Sequence, residues 1–275
     1  MSYSTVMVHV DLDHANDARL QIAGRLAARF DATLIGVAAG EPGPTDHVEG
    51  AYLDARTARN RKALEERMIN AEWRFRSVAE RHVSDIGWRC ALARPTDYLA
   101  QEARAADLLV TGTLQKGADF DPLSSPDPGD LAMKAGRPVL IIPPDVAWLQ
   151  TRIMMVAWKD SREARRAIWD ALPLLRCAQE VNVVAIPEGD ADRADLRPQV
   201  DDVVSWLGRH GIAGFGMVPE PTESLAEQIA AIASELDADV VVAGAYSRAR
   251  IAERIFGGVT QSILTRTTTC ALLAH

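Results

Sequence analysis

The chain of 275 residues carries a net charge of −8, with 48% hydrophobic and 25% charged residues. This composition is typical of a folded globular protein, and the length favours two domains of about 140 residues each. The acidic balance and the lack of a basic recognition motif argue against nucleic acid as a partner. No apolar run approaches the ~18 residues of a membrane span, and the first residues lack the features of a signal peptide. We expect a cytoplasmic protein with no membrane partner.

The first half alternates short apolar runs with helical periodicity. Residues 4–11 and 33–37 predict two strands, and residues 107–112 and 138–142 predict two more. A long helix is predicted from about Asp54 to Ser84. Its core stripe has steps of four, three, four and three residues: Leu64, Met68, Ala71, Phe75 and Val78.

The second half repeats the same order of strand and helix patterns. Strands are predicted at 153–158, 181–185, 239–243 and 270–274. The helix after the first of them has one apolar face, consisting of Ala164, Ala167, Ile168, Ala171 and Leu172. Pro143 and Pro144 interrupt regular structure between the halves, which predicts domains at 1–145 and 146–275. Continuous apolar strands separated by helices predict an α/β fold with two repeated, doubly wound parallel sheets.

In such sheets a ligand binds beyond the carboxyl ends of the strands where the winding direction reverses, here strands one and four of each half. In the second half, strand four leads into Gly244, and Gly257 and Gly258 follow after a short spacer. Glycines let main-chain N–H groups approach a phosphate closely, and a helix beginning near Gly257 would direct its positive end there. The predicted nucleotide-binding residues are Trp158, Lys159, Gly244, Ser247, Arg248, Gly257, Gly258, Val259 and Thr260. Ordinary turn glycines are the alternative interpretation, and Ser161 is expected to cap a helix.

The corresponding loop of the first half is acidic. Four carboxylates occupy it, those of Asp119, Asp121, Asp127 and Asp130. They would repel a phosphate, so we expect the first crevice to be empty or to hold something cationic.

Three other groups of residues have simpler interpretations. His9, Asp11 and Asp13 alternate along the predicted first strand and precede His14, which permits a metal hypothesis. A partly exposed strand end explains the alternation equally well, and we expect no metal. The cysteines are expected to be buried thiols and the tryptophans to be packing residues: Cys90, Cys177, Cys270, Trp73, Trp88, Trp148, Trp158, Trp169 and Trp206.

The sequence resembles the universal stress protein family, in its tandem form with two copies in one chain. Nucleotide-binding members have a Gly, two residues, a Gly, nine residues, and then a Gly followed by Ser or Thr. Gly244, Ser247, Gly257 and Gly258 occupy these four positions. Ser247 replaces the second glycine, Gly258 replaces the hydroxyl residue, and Lys159 replaces the aspartate that the family places after strand one. The triplet 159–161 also resembles part of the ATP pyrophosphatase loop, without its serine and paired glycines.

The resemblance implies an adenine nucleotide α-hydrolase-like fold with strand order 3-2-1-4-5 in each half. It also implies that the last strands of the two halves pair within the chain as a pseudo-dimer, residues 139–142 against 271–274. The implied ligand is ATP or another adenine nucleotide, with or without Mg²⁺, in the C-terminal domain. A further homodimer remains open.

The leading hypothesis is a stress-response protein that binds ATP and acts as a sensor or through an unknown protein partner. No catalytic residue is assigned, because no nucleophile and base are evident. The first alternative is a tandem scaffold that binds no nucleotide and needs no cofactor. The second is a slow ATP hydrolase, suggested by the arginines and Thr260 in the loop.

Overall fold

The computed structural model describes residues 2–13, 17–43, 51–114, 120–187, 193–222, 224–245 and 268–275. The first half contains β1 (Thr5–His9), α1 (Asp17–Phe30), β2 (Thr33–Ala39), α2 (Ala51–Ala79), β3 (Ile86–Ala91), α3 (Pro95–Glu102), β4 (Leu108–Gly112), α4 (Pro128–Lys134) and β5 (Val139–Ile142). The second contains β6 (Ile153–Ala157), α5 (Arg162–Leu175), β7 (Glu180–Val184), α6 (Arg193–Arg209), β8 (Gly214–Met217), α7 (Leu225–Glu235), β9 (Val240–Gly244) and β10 (Cys270–Ala274).

The described strands form one sheet of ten in the order β3-β2-β1-β4-β5-β10-β9-β6-β7-β8. Each half therefore has the predicted order 3-2-1-4-5. Within each half the strand pairs are parallel, whereas β5 and β10 pair antiparallel with Leu140 opposite Leu272. This pairing joins the halves edge to edge and confirms the predicted pseudo-dimer within one chain.

Helices cover both faces of the sheet, as continuous apolar strands require. One face packs against α1, α2, α5 and α6, and the other against α3, α4 and α7. The stripe of α2 is confirmed, because all five predicted core residues from Leu64 to Val78 are buried. The five inward residues of α5 are buried as well. None of the described helices combines the length and the apolar character that a membrane crossing would demand.

Helix α2 ends at Ala79 rather than at Ser84, so the predicted end was wrong. The amides of Arg81 and His82 donate to carbonyls three residues earlier, which tightens the last turn. The chain then has to return to the sheet, where the carbonyl of Asp85 accepts from the amide of Leu34 at 3.0 Å.

The prediction of three buried thiols is correct only for Cys270. Cys90 lies on the edge strand β3 and Cys177 in the turn after α5, and both are exposed. The packing prediction for tryptophan is confirmed for Trp88, Trp158 and Trp206, which contact the core. Trp73, Trp148 and Trp169 are exposed, although the ring of Trp169 still lies 6.3 Å from that of Trp206.

Candidate functional site

The carboxyl ends of β6 and β9 bring three of the predicted site residues to the same edge. Ala157 is paired with Ala243, so Trp158 and Lys159 leave the sheet beside Gly244. The strand order reverses between these two strands, which is where a doubly wound sheet holds its ligand. The remaining predicted residues lie outside the described ranges: Ser247, Arg248, Gly257, Gly258, Val259 and Thr260.

Gly244 is in close contact with the beginning of α5. A Cβ atom at this position would lie 2.6 Å from the amide nitrogen of Ala164 and 2.7 Å from the carbonyl carbon of Glu163. Real Cβ atoms do not come this close to backbone, so only glycine lets the helix start lie against the end of β9. Packing is therefore one reason for glycine here, whatever the loop beyond it binds.

The next residue, Ala245, already has protein partners. Its amide donates to the carbonyl of Ala274 at 2.8 Å, which extends the pairing of β9 with β10. Its carbonyl lies 2.9 Å from Nδ1 of His275, which donates when it carries the proton. A phosphate bound at this edge would have to use other amides.

The first turn of α5 carries both signs of charge. Ser161 accepts from the amide of Ala164 at 3.2 Å, which confirms it as the helix cap. Burial favours the neutral form of Glu163, but hydrogen bonds from its own amide and Ser161, with the charges of Arg162 and His275, hold its pKa below the usual value. The ionised carboxylate stabilises the positive end of the helix, and it opposes a second anion immediately beside it.

The indole N–H of Trp158 has no hydrogen-bond acceptor among the described residues. The ring of Trp158 packs against the core, and its Nε1 is buried. Buried donors are nearly always paired in native proteins. Because Trp158 directly follows β6, an acceptor from a ligand at this edge is one way to satisfy that donor.

The corresponding crevice of the first half is filled by an arginine side chain. A Cβ at Gly112, the last residue of β4 as Gly244 is the last of β9, would lie 2.8 Å from Nη1 of Arg19. The same Nη1 lies 3.5 Å from Nδ1 of His9, which is buried at 2% exposure. Burial lowers the pKa of Arg19 to about 10, and Asp11 opposes this effect, so the guanidinium is charged at neutral pH.

The cation in the first crevice thus belongs to the chain itself. Burial, and then the charge of Arg19, hold the pKa of His9 far below its ordinary value, so its ring is neutral. Asp11 is also buried, at 6% exposure, and its charge balances that of Arg19. Within the described ranges, the cation at this crevice is the side chain of Arg19, which lies beside His9 at the end of β1.

The acidic loop uses its carboxylates locally. Asp127 caps α4 by accepting from the amides of Gly129 and Asp130, at 2.8 and 3.0 Å. Asp121 accepts from the amide of Leu123 at 3.0 Å, and Asp130 forms an ion pair with Lys134 at 2.8 Å. Asp119 lies outside the described ranges. A turn, a helix cap and an ion pair therefore account for the described acidic residues of this loop.

The metal hypothesis for the first strand has no structural support in the described part of the chain. Strand β1 ends at His9, so Asp11 and Asp13 do not alternate along it as predicted. Asp13 pairs with Arg67, and its amide donates to Asp11 Oδ1 at 3.1 Å. Residue 14 lies outside the described ranges, and within them no group of three or more His, Cys, Asp or Glu could hold a metal ion.

No protein-family model matches the sequence, and no curated protein matches it. Solved structures do. A universal stress protein from Archaeoglobus fulgidus superposes with a TM-score of 0.70 at 15% identity, over 98% of this chain and 95% of its own. A putative universal stress protein from Pseudomonas aeruginosa gives 0.62 at 15% identity, over 99% and 93%. A functionally unknown protein from Pseudomonas aeruginosa gives 0.60 at 14% identity, over 99% and 92%.

These likenesses define the class of architecture. The chain has the universal stress protein fold over nearly its whole length, as its sequence motifs predicted. At such low identity the comparison concerns the fold, and function has to be argued from the site.

Proposed function

We propose that the protein is a tandem universal stress protein that binds an adenine nucleotide, ATP or a close relative, in its C-terminal half. The observation that carries the proposal is the reversal of strand order between β6 and β9, where Trp158, Lys159 and Gly244 lie at one edge. A crevice at this topological position is the default ligand site of an open α/β sheet.

Some of the described residues at this edge favour an anionic ligand, and others oppose one. Lys159 supplies positive charge, α5 begins at this edge, and the indole N–H of Trp158 lacks an acceptor among the described residues. Glu163 and the engaged amide of Ala245 do not fit a phosphate. The proposed phosphate contacts are therefore Lys159 and the loop beyond Ala245, consisting of Ser247, Arg248, Gly257, Gly258, Val259 and Thr260.

The nucleotide, with or without Mg²⁺, would change how the protein interacts with partners in the cytoplasm. The proposal assigns no catalytic residue and no turnover. A single nucleotide per chain is expected, because Arg19 occupies the matching crevice of the first half.

Calorimetry with ATP and Mg²⁺ on the full chain tests this proposal. Lys159→Ala should weaken binding by about five- to tenfold, because a charge-assisted contact contributes about 1–1.5 kcal/mol. Lys62→Ala, which removes a lysine exposed on α2, is the matched control and should leave affinity unchanged. Trp158→Phe should also weaken binding while it keeps an aromatic ring in the core. Absence of ATP binding, together with absence of any nucleotide in the denatured purified protein, would reject the proposal.

A scaffold without nucleotide is the second candidate, and one observation favours it. The amide of Ala245 is taken by Ala274, and the contact of Gly244 with α5 explains that glycine without a ligand. On this account Gly257→Asp changes neither the stability nor any partner binding. On the nucleotide account it removes ATP binding, because a side chain and a negative charge enter the loop.

A further inference from the structure

A cavity of about 450 Å³ lies at the edge of the sheet opposite to Gly244. It adjoins Asp239, which precedes β9, and Cys270, the first residue of β10. The segment that connects β5 to β6 and helix α7 form its other walls. Its volume is within the range of sites that hold small organic molecules.

The walls of this cavity are partly apolar, and Ser234, Thr268 and Thr269 add uncharged polar groups. From the connecting segment Val146, Trp148 and Leu149 contribute, and from α7 Ile229 and Ala233 contribute. An apolar molecule of matching size would gain the usual free energy of removing hydrocarbon surface from water.

The connecting segment is held in place by residues of α1. The guanidinium of Arg25 stacks on the ring of Trp148, with Cζ 3.6 Å from the ring centroid. Arg29 donates to Oγ1 of Thr151 at 2.6 Å. The wall is therefore fixed by contacts outside the cavity, and a ligand would meet a preformed site.

The charged lining residues are all acidic. They are Glu227, Asp237 and Asp239, and no Lys, Arg or His is among the described residues that line the cavity. Asp239 accepts from the amides of Arg152 and Ile153 through Oδ2, at 2.6 and 3.0 Å, and Asp237 lies 3.9 Å from Arg152. Glu227 is exposed on the first turn of α7. An anionic ligand is disfavoured here, and a cation is favoured.

We propose that this cavity binds a small amphiphile with an apolar body and one ammonium group, such as an arylalkylamine. The apolar walls take the body and the carboxylates of the rim take the ammonium group. The site is separate from the proposed nucleotide site, because the two lie at opposite edges of the sheet.

Calorimetry on the full chain with three compounds of similar size tests the proposal. Phenethylamine should bind saturably, phenethyl alcohol more weakly, and phenylacetate not at all. Glu227→Gln should weaken phenethylamine binding by about two- to fivefold, as expected for one partly screened charge, and leave the alcohol unchanged. Glu235→Gln, an exposed change on the same helix that is not in the lining, should have no effect.

A cavity-filling variant locates the binding. Ala230→Phe adds a ring from the exposed side of α7 and should abolish phenethylamine binding, whereas Ala231→Phe, one residue further and outside the lining, should not. The proposal is overturned if phenethylamine does not bind saturably, if phenylacetate binds as tightly as phenethylamine, or if the two phenylalanine variants behave alike. Circular dichroism of each variant establishes that it is folded.

Discussion

The two halves of the chain differ in what packs against the glycine at the end of their fourth strand. Each has a glycine as the last residue of its fourth strand, Gly112 in β4 and Gly244 in β9, and in each the space beside it is filled by protein. In the first half the filler is the charged end of Arg19, and in the second it is the backbone at the start of α5. The same fold therefore forms two crevices with different chemistry. In the described ranges, a guanidinium of the chain lies beside Gly112 in the first crevice, and none lies beside Gly244 in the second.

The largest effect is expected from Gly244→Ala. Its Cβ would meet backbone atoms at 2.6 and 2.7 Å, so β9 or α5 has to move, at a cost of about 3 kcal/mol in the free energy of unfolding. Gly112→Ala meets the end of a flexible side chain and should cost about 1 kcal/mol. Urea unfolding of both variants measures the difference, and equal costs would refute the contrast between the two crevices.

Arg19→Ala should destabilise the first half by about 2 kcal/mol, because it removes a buried guanidinium that the charge of Asp11 stabilises and leaves a gap beside Gly112. Arg61→Ala removes an exposed partner of Glu65 on α2 and should cost less than about 0.5 kcal/mol. Millimolar guanidinium should restore part of the melting temperature of Arg19→Ala and leave that of Arg61→Ala unchanged. Identical responses of the two variants would show that the crevice does not recognise the cation.

The neutral His9 makes stability depend on pH. The pKa of His9 is lower in the folded state than in the unfolded state, where it is about 6.5. Below about pH 6.5 the unfolded chain therefore binds a proton on His9 that the folded chain does not bind. Stability should therefore fall as pH decreases from about 6.5 towards the folded pKa, with a slope approaching about 1.4 kcal/mol per pH unit. His9→Gln should reduce this slope in urea titrations at several pH values. An unchanged slope would mean that His9 is charged in the folded protein.

The smallest of these effects is expected from Ser161→Ala. The cap on Ala164 contributes about 1 kcal/mol, and its loss should leave α5 folded because nine of its residues are buried. Hydrogen exchange of the amides in the first turn of α5 should accelerate, while that of the buried strands stays as in the wild type. Faster exchange throughout the second half would contradict this, because it would mean that the cap of α5 stabilises the whole second half and not only the first turn of the helix.

Local signals in the sequence were sufficient for eight of the ten described strands of the sheet, but they did not locate β3 and β8. The apolar runs and the spacing of residues such as Leu64 and Met68 follow the periods of strand and helix, and the prolines at 143 and 144 separate the halves. The strand order and the pairing of β5 with β10 came from the family resemblance, and the structure agrees.

The chemistry of the two crevices could not be predicted from the sequence, because it depends on contacts between segments that are far apart in the chain. Nothing local to Arg19 shows that its side chain reaches Gly112, and nothing local to Gly244 shows the approach of α5. The exposure of Cys90 likewise follows from the edge position of β3, which single-sequence patterns do not reveal.

The most direct test of the central claim is the number of ATP molecules bound per chain. Calorimetry of the full chain with ATP and Mg²⁺ should give one, held in the C-terminal half and weakened by Lys159→Ala. Two would contradict the closure of the first crevice by Arg19, and none would contradict the nucleotide site itself.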